Sequence, residues 1–369
     1  MVAVEPPKRS SIHLLPPEIL IMILKKLNYK SICHARVTCK QWQEIIANFK
    51  LAEVFMTKTF GILVAGGTGG TGSEMLKDVS SVEFIGEDCL IKEFPRLPDS
   101  AVLRSMVLHD GNILICGIGP DEINNEGGEN ARLCYLLKNG IWKQHSVLNH
   151  ERKWGGVVST KSGTFIFGGH GPYGPSAVIP KFLYEYLPKG SSKWKIGKNR
   201  IPGGFFMACA IATKSEQDIL LIGGWLTGKR ILKFNVKDHS FEELPINLNE
   251  GRFGAQCAFI PGTNKIMITG GSCLKSTEIL DLDQGSIVMA SPMNFARHCH
   301  GIGIITGNDV QRLAVFGGSE GTKGVKFQDT IELYNMQTQK WELSEAKLKN
   351  GRYGFGFISA NLQDISNCF

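Results

Sequence analysis

The 369-residue chain has 10 cysteines but no CxxC pair, and no second half of a zinc site accompanies them. Cys116 in ILICG, Cys209 in MACAIA and Cys257 in AQCAF sit inside apolar runs, where a free cysteine behaves as a small hydrophobe. Buried thiols are therefore expected. No apolar run is long enough to cross a bilayer, so no membrane partner is expected. Met1 to Ser11 carries charges but lacks the apolar stretch of a secretory leader. A reducing location follows as the expectation, cytoplasmic and/or nuclear. GxSxG, P-loop and HExxH patterns are all missing. The sequence thus assigns no catalytic residue, no metal and no cofactor, and an enzyme is not expected. Proline is sparse at 15 residues while glycine is abundant at 43, which points to many tight turns rather than flexible filler.

The formal net charge of +7 is uneven, because residues 1–58 hold nine Lys/Arg against four acids. A basic N-terminal module suits an acidic partner. Its aromatics, Tyr29, Trp42, Phe49 and Phe55, do not interleave with the basic residues, so nucleic acid is not the expected partner.

Internal periodicity decides the fold. Six apolar runs end in a glycine pair or its relic: ILVAGG, ILICGIG, FIFGG, LLIGG, IMITGG and LAVFGG. From Gly66 through Gly117, Gly168, Gly223, Gly270 and Gly317 the steps are 51, 51, 55, 47 and 47 residues. Behind each pair a large residue recurs seven positions before another, as in Tyr135/Trp142, Phe234/Phe241, Leu280/Ile287 and Tyr334/Trp341, with Tyr186/Trp194 one longer. Turn-forming residues lie between the two members, placing them on the strands of a hairpin. This double signal resembles the kelch motif. It implies a mainly all-β chain with a six-bladed kelch-type β-propeller over residues 59–369, four strands to a blade. The first repeat lacks an inner strand, and GRYGFGFISA at 351–360 matches inner-strand segments without a glycine pair after it. That segment is expected to complete blade one and close the ring.

Residues 10–55 have the opposite character. Leu15, Ile19, Ile23 and Leu27 recur at steps of four, a helical stripe, and Pro16 and Pro17 suit a helix's first turn. LLPPEILIMILKKL followed by VTCKQWQEII resembles the F-box, a small three-helix module. The resemblance implies that Leu15, Pro16, Ile19, Ile23, Leu27, Val37 and Trp42 bind a Skp-family adaptor, and through it a cullin, or hold the module together. A helical cap lying on the propeller is the competing reading. Together the two resemblances imply the substrate-recognition subunit of an SCF-type ubiquitin ligase. The alternative is a non-ligase interaction scaffold, cytoskeletal or transcriptional.

Two patterns imitate chemistry. Gly67 to Gly72 spells GxGxxG, but Ser73–Ile85 reads as a turn and a strand where a dinucleotide site needs a helix. His298-Cys299-His300 has metal-ligating residue types but no third ligand nearby in sequence; inner-strand packing or channel lining is expected instead.

For target docking, Arg252, Arg297 and Arg352, with Arg152, each open an inner-strand segment. They form either an anion-binding ring or, because they recur, a repeated structural device. From each glycine pair to the next large residue the gaps are 17, 16, 17, 10, 9 and 16. One face should therefore carry a tall crescent with an open side at blades four and five. Blade-specific candidates there are His170, Tyr173, Trp225 and Phe327, either interface anchors or packing for their own loops. Ring closure has a direct test. Deleting everything after Asn350 is expected to abolish the cooperative thermal transition followed by circular dichroism; a truncated chain melting like the full one would remove the closing role of that segment.

Overall fold

The computed structural model describes residues 16–24, 60–71, 74–76, 81–86, 95–98, 105–117, 132–169, 171, 181–307, 310–321 and 327–361. Its main body is a six-bladed propeller of antiparallel sheets. Among the described residues no helix is long and apolar enough to cross a membrane.

Blades 2 to 6 are four-stranded sheets taken in chain order from the axis outward. Blade 2 runs from Ser105–His109 to Ile141–Val147, blade 3 from Gly156–Thr160 to Lys195–Ile196, and blade 4 from Cys209–Ala212 to Phe241–Glu243. Blade 5 runs from Gln256–Phe259 to Ser286–Ala290 and blade 6 from Gly301–Gly307 to Lys340–Lys347. In blade 1 the innermost strand is Gly356–Asn361, hydrogen-bonded along Phe60–Ala65 from Phe60↔Asn361 to Ala65↔Gly356. The far end of the chain thereby supplies the strand that the first repeat lacks. Each inner strand lies beside those of both neighbouring blades. Ser359 Oγ spans the closing joint, accepting from Ile304 N–H at 2.8 Å and donating to the Ile304 carbonyl at 3.0 Å.

The apolar runs owe their lack of alternation to burial on both faces. In Asn112–Cys116, Ile113 and Ile115 pack toward blade 1 while Leu114 and Cys116 pack toward blade 3. In Val310–Phe316, Leu313 and Val315 face blade 5, and Ala314 and Phe316 face blade 1. Each of the six core clusters fills one joint between neighbouring blades. Hairpin partners face one another as expected at Phe234↔Phe241, Leu280↔Ile287 and Tyr334↔Trp341. In blade 2 Trp142 faces Leu137 instead, because the hairpin closes through the two-residue turn Asn139–Gly140. The GxGxxG segment is strand Thr68–Thr71, paired with Gly351–Tyr353 and Glu74–Leu76 in a small added sheet.

Recurring arginines hold the joints. Arg252 Nε donates to Glu278 Oε1 at 2.9 Å and its Nη1 to the Gly270 carbonyl at 2.7 Å. Arg297 does the same with Glu332 at 3.2 Å and Gly317 at 2.7 Å, and Arg152 with Glu185 at 3.1 Å and Gly168 at 2.7 Å. Arg352 pairs with Glu83 and reaches the Gly66 carbonyl at 3.2 Å. The main-chain carbonyl of each connector holds the previous blade: Gly224 N–H donates to Arg252, Gly271 N–H to Arg297 and Gly318 N–H to Arg352. One residue thus grips the glycine pairs of two consecutive blades. Asn149, Asn249 and Asn294 donate to the second oxygen of the same carboxylates at 2.7, 2.7 and 2.6 Å. Glycine is required at the gripped turn: Gly270 has φ 57° and a Cβ there would run into the Arg297 carbonyl oxygen. Burial lowers the pKa of Arg152, Arg297 and Arg352 while their glutamates oppose it. Burial also works against the Glu185 carboxylate, but Arg152 and Asn149 outweigh it and hold it below the ordinary range.

Arg252, Arg297 and Arg352 were candidates for target contact, and here the structure corrects the sequence reading. All three are buried, with their guanidinium groups spent inside the joints. Blade 4 shows that the ion pair is replaceable. Phe205 takes the arginine position and Leu232 the glutamate position, both inside the apolar cluster, and Thr227 Oγ1 donates to the Gly223 carbonyl instead.

A second correction concerns sulfur. Cys116–Cys134 and Cys209–Cys257 are disulfide-bonded, with Cα–Cα distances of 4.1 and 6.0 Å. The first joins residues facing each other across two strands of blade 2. The second joins the inner strands of blades 4 and 5. No short-range cysteine spacing announces either, because only strand register and the repeat phase bring the partners together. Cys273 is half-buried and Cys299 buried.

Replacing Glu332 with Leu alone should strand the Arg297 charge and cost about 3–5 kcal/mol in urea denaturation. Adding Arg297→Phe, which copies blade 4, should recover most of that loss. A double variant as unstable as the single one would show that the joint needs charge and not merely volume.

Candidate functional site

The glycine pairs and the inter-blade connectors lie at the same end of the propeller, and their main chain builds a collar around the axis. Met207 N–H donates to Trp154 O at 3.1 Å, Gly254 to Met207 at 2.6 Å, Cys299 to Gly254 at 2.8 Å and Gly354 to Cys299 at 3.0 Å. All five residues have positive φ, between 50° and 66°. This turn in the chain directs the preceding residues outward and the following ones along the axis. A cavity of about 170 Å³ opens here, lined by Trp154, Met207, Gln256, His300 and Phe355 among others.

Aromatic rings surround the collar. Phe327 stacks on Tyr353 at 5.5 Å, and Tyr353 lies 6.2 Å from both Trp154 and His298. Trp225 stands edge-on to Phe253 at 4.6 Å. Of the blade-specific candidates, Phe327 is half-buried against Tyr353 and bridges to Ser319. Trp225 is 56% exposed and its neighbour Leu226 47%. His170 and Tyr173 lie outside the described residues, as do large parts of the long loops of blades 1, 2, 3 and 6. The short loops of blades 4 and 5, Gly224–Arg230 and Gly271–Ser276, are described throughout.

One position at this end varies from blade to blade. The residue whose carbonyl receives the last apolar N–H of the blade is Arg132, Phe182, Lys229, Lys275 and Asp329 in blades 2 to 6, at 2.8–2.9 Å. Sequence reading missed it because no motif marks it; only the hydrogen-bond equivalence shows that these residues share a site.

The histidine pair is structural. His298 Nδ1 lies 3.0 Å from the Ser319 carbonyl and His300 Nε2 2.8 Å from Thr269 Oγ1. Left-handed Cys299 between them sends the two rings to different partners. Among the described residues no group of three or more His, Cys, Asp or Glu is placed to hold a metal ion.

At the N-terminal end, helix Pro17–Leu24 begins with Ile19 and Leu20 N–H donating to the Pro16 carbonyl at 3.0 and 3.1 Å. Leu20 is buried, Ile23 half-buried, and Ile19 and Met22 are 42% and 59% exposed. Met22, three residues after Ile19, extends the same exposed face and did not belong to the four-residue stripe. Leu15, Leu27, Val37 and Trp42, and the other two helices expected for this module, fall outside the described residues.

Residues 12–53 match the model of the F-box domain family. No curated protein matches the chain.

Burial is the first cause of a lowered pKa at His109, His145, His239, His298 and His300. Each is neutral in the fold and regains its ordinary value, about 6.5, on unfolding. The unfolded chain then binds more protons as pH falls below that value, so stability is full above it and declines below. The urea midpoint should be lower at about pH 5.5 than at about pH 7.5, and equal midpoints would refute that burial penalty.

Proposed function

We propose that this chain is the substrate-recognition subunit of an SCF-type cullin-RING ubiquitin ligase. In this reading the N-terminal module holds a Skp-family adaptor, and through it a cullin. The six blades are kelch repeats whose collar end receives the target protein. The observation that carries the reading is the F-box domain match at residues 12–53 on the same chain as a propeller. A propeller offers a broad, rigid, loop-edged surface for a protein ligand. The exposed Ile19 and Met22 side chains supply an apolar face for the adaptor. No catalytic step is given to this chain; ubiquitin transfer falls to other subunits of the complex. The reading places the protein in the cytoplasm and/or nucleus.

Co-purification with a Skp-family adaptor tests this directly. The intact chain should retain the adaptor, and an Ile19→Asp, Met22→Asp double variant should lose it. Burying unpaired carboxylates costs several kcal/mol, where about 1.4 kcal/mol is already tenfold in affinity. An intact, folded chain that binds no adaptor would leave a non-ligase scaffold.

A further inference from the structure

We propose that the target is read as an extended acidic peptide segment carrying one large apolar side chain, laid across the short-loop sector of blades 4 and 5. Trp225 and Leu226 take the apolar side chain, and Lys229 and Lys275 take the flanking carboxylates. This rests on the reading of the propeller as a target-binding module and adds the sector and the chemistry recognised.

Trp225 and Leu226 are the exposed tip of a well-braced turn. Trp225 N–H donates to the Phe206 carbonyl at 2.9 Å, and Gly228 N–H closes the turn on Gly224 at 2.8 Å. The Trp225 ring leans on Phe253 at 4.6 Å, and Phe253 is itself tied to blade 5 through Ser272, whose hydroxyl accepts its N–H at 3.1 Å. The indole therefore bridges two blades and is held in place before any partner arrives. Leu226 rests over Gly204, beside Phe182. A rigid aromatic with an aliphatic neighbour, both left in water, is the composition of an interface anchor.

Among the described residues, the charge beside this anchor that has no ion-pair partner is positive. Lys229 follows Trp225 by four residues, Lys275 occupies the equivalent position on blade 5, and both are exposed. Neither has an acidic partner among the described residues. The acids nearest in this sector are already engaged: Glu243 by Arg230 at 2.6 Å, and Glu250 by Arg252 at 2.9 Å. Blade 6 carries Asp329 at the same position, beside Lys347 at 3.9 Å. The sign thus changes around the ring, which orients an acidic ligand toward blades 4 and 5. The short loops of blades 4 and 5 leave room for an extended chain there.

The experiment selects from a phage-displayed library of random peptides on the intact, immobilised chain, then measures the best peptide by fluorescence anisotropy. Enriched sequences should pair Asp or Glu with one aromatic or large aliphatic residue. Trp225→Ala should weaken that peptide about thirtyfold. Lys229→Glu with Lys275→Glu should weaken it about tenfold and remove most of its salt dependence. Lys189→Glu, in a tight turn at the opposite end of the blades, should change nothing. Neutral or basic enriched sequences, affinity indifferent to these substitutions, or no enrichment by a chain with an unaltered melting curve would each overturn the proposal. So would tighter binding of a labelled single-stranded oligonucleotide than of any selected peptide. Adaptor co-purification runs on the same preparations. Loss of peptide binding with the adaptor retained rejects this sector alone, whereas an adaptor-free chain that still selects acidic peptides rejects the ligase reading alone.

Discussion

A propeller survives only if its blades, each a small sheet with two apolar faces, stay in phase around the ring. In this chain that phase is held where a connector residue binds backward through its carbonyl and forward through its side chain. At Arg252, Arg297 and Arg352 the carbonyl takes the second glycine N–H of the blade behind, and the guanidinium takes the first glycine carbonyl of the blade ahead. The buried glutamate neutralises the charge, and an asparagine fills the carboxylate's remaining oxygen in blades 3, 5 and 6. Buried ion pairs are poor sources of net stability because desolvation offsets attraction. Their value here is geometric: a planar, multiply bonded group permits one distance and one angle between neighbouring blades. Blade 4 keeps the geometry with Phe205, Leu232 and Thr227, so the requirement is a filled and hydrogen-bonded joint.

The same constraint places the surface. Because the connectors are fixed at the collar end, the residues just outside the grip form a rim of known spacing. Five equivalent positions on that rim carry Arg132, Phe182, Lys229, Lys275 and Asp329. Repetition beneath and variation above is the division of labour a recognition surface needs. The recurring residues hold the ring, and the ones free to differ meet the partner. Arg352 binding Glu83 and Gly66 applies the grip within blade 1, where strands from the two ends of the repeat array are joined only by hydrogen bonds.

How far the sequence could be read depends on the range of each interaction. Glycine pairs and the large residues behind them lie within single blades, and their phase exposed the six repeats. The GxGxxG of Gly67–Gly72 was read as turn and strand because the following residues lacked helical character. The arginines carried a recurring signal too, but one sequence could not choose between a charged rim and a buried grip. The glutamate partners lie 26 to 35 residues away in blades 3, 5 and 6, and one carboxylate's position in a strand says nothing of which side chain reaches it. Cys209 and Cys257 illustrate the same limit at a separation of 48 residues.

Periodicity by itself determined the repeat number and the helical character of the N-terminal stripe, since local spacing encodes which faces are apolar. Tertiary structure alone decided which charged residues are spent inside the fold and which stand in water. Arg252 and Lys229 have the same formal charge, yet one is enclosed by Glu278 and Gly270 and the other is exposed on the rim. That difference arises from contacts between residues distant in the chain, and solvent exposure has no local signature when every blade repeats the same pattern.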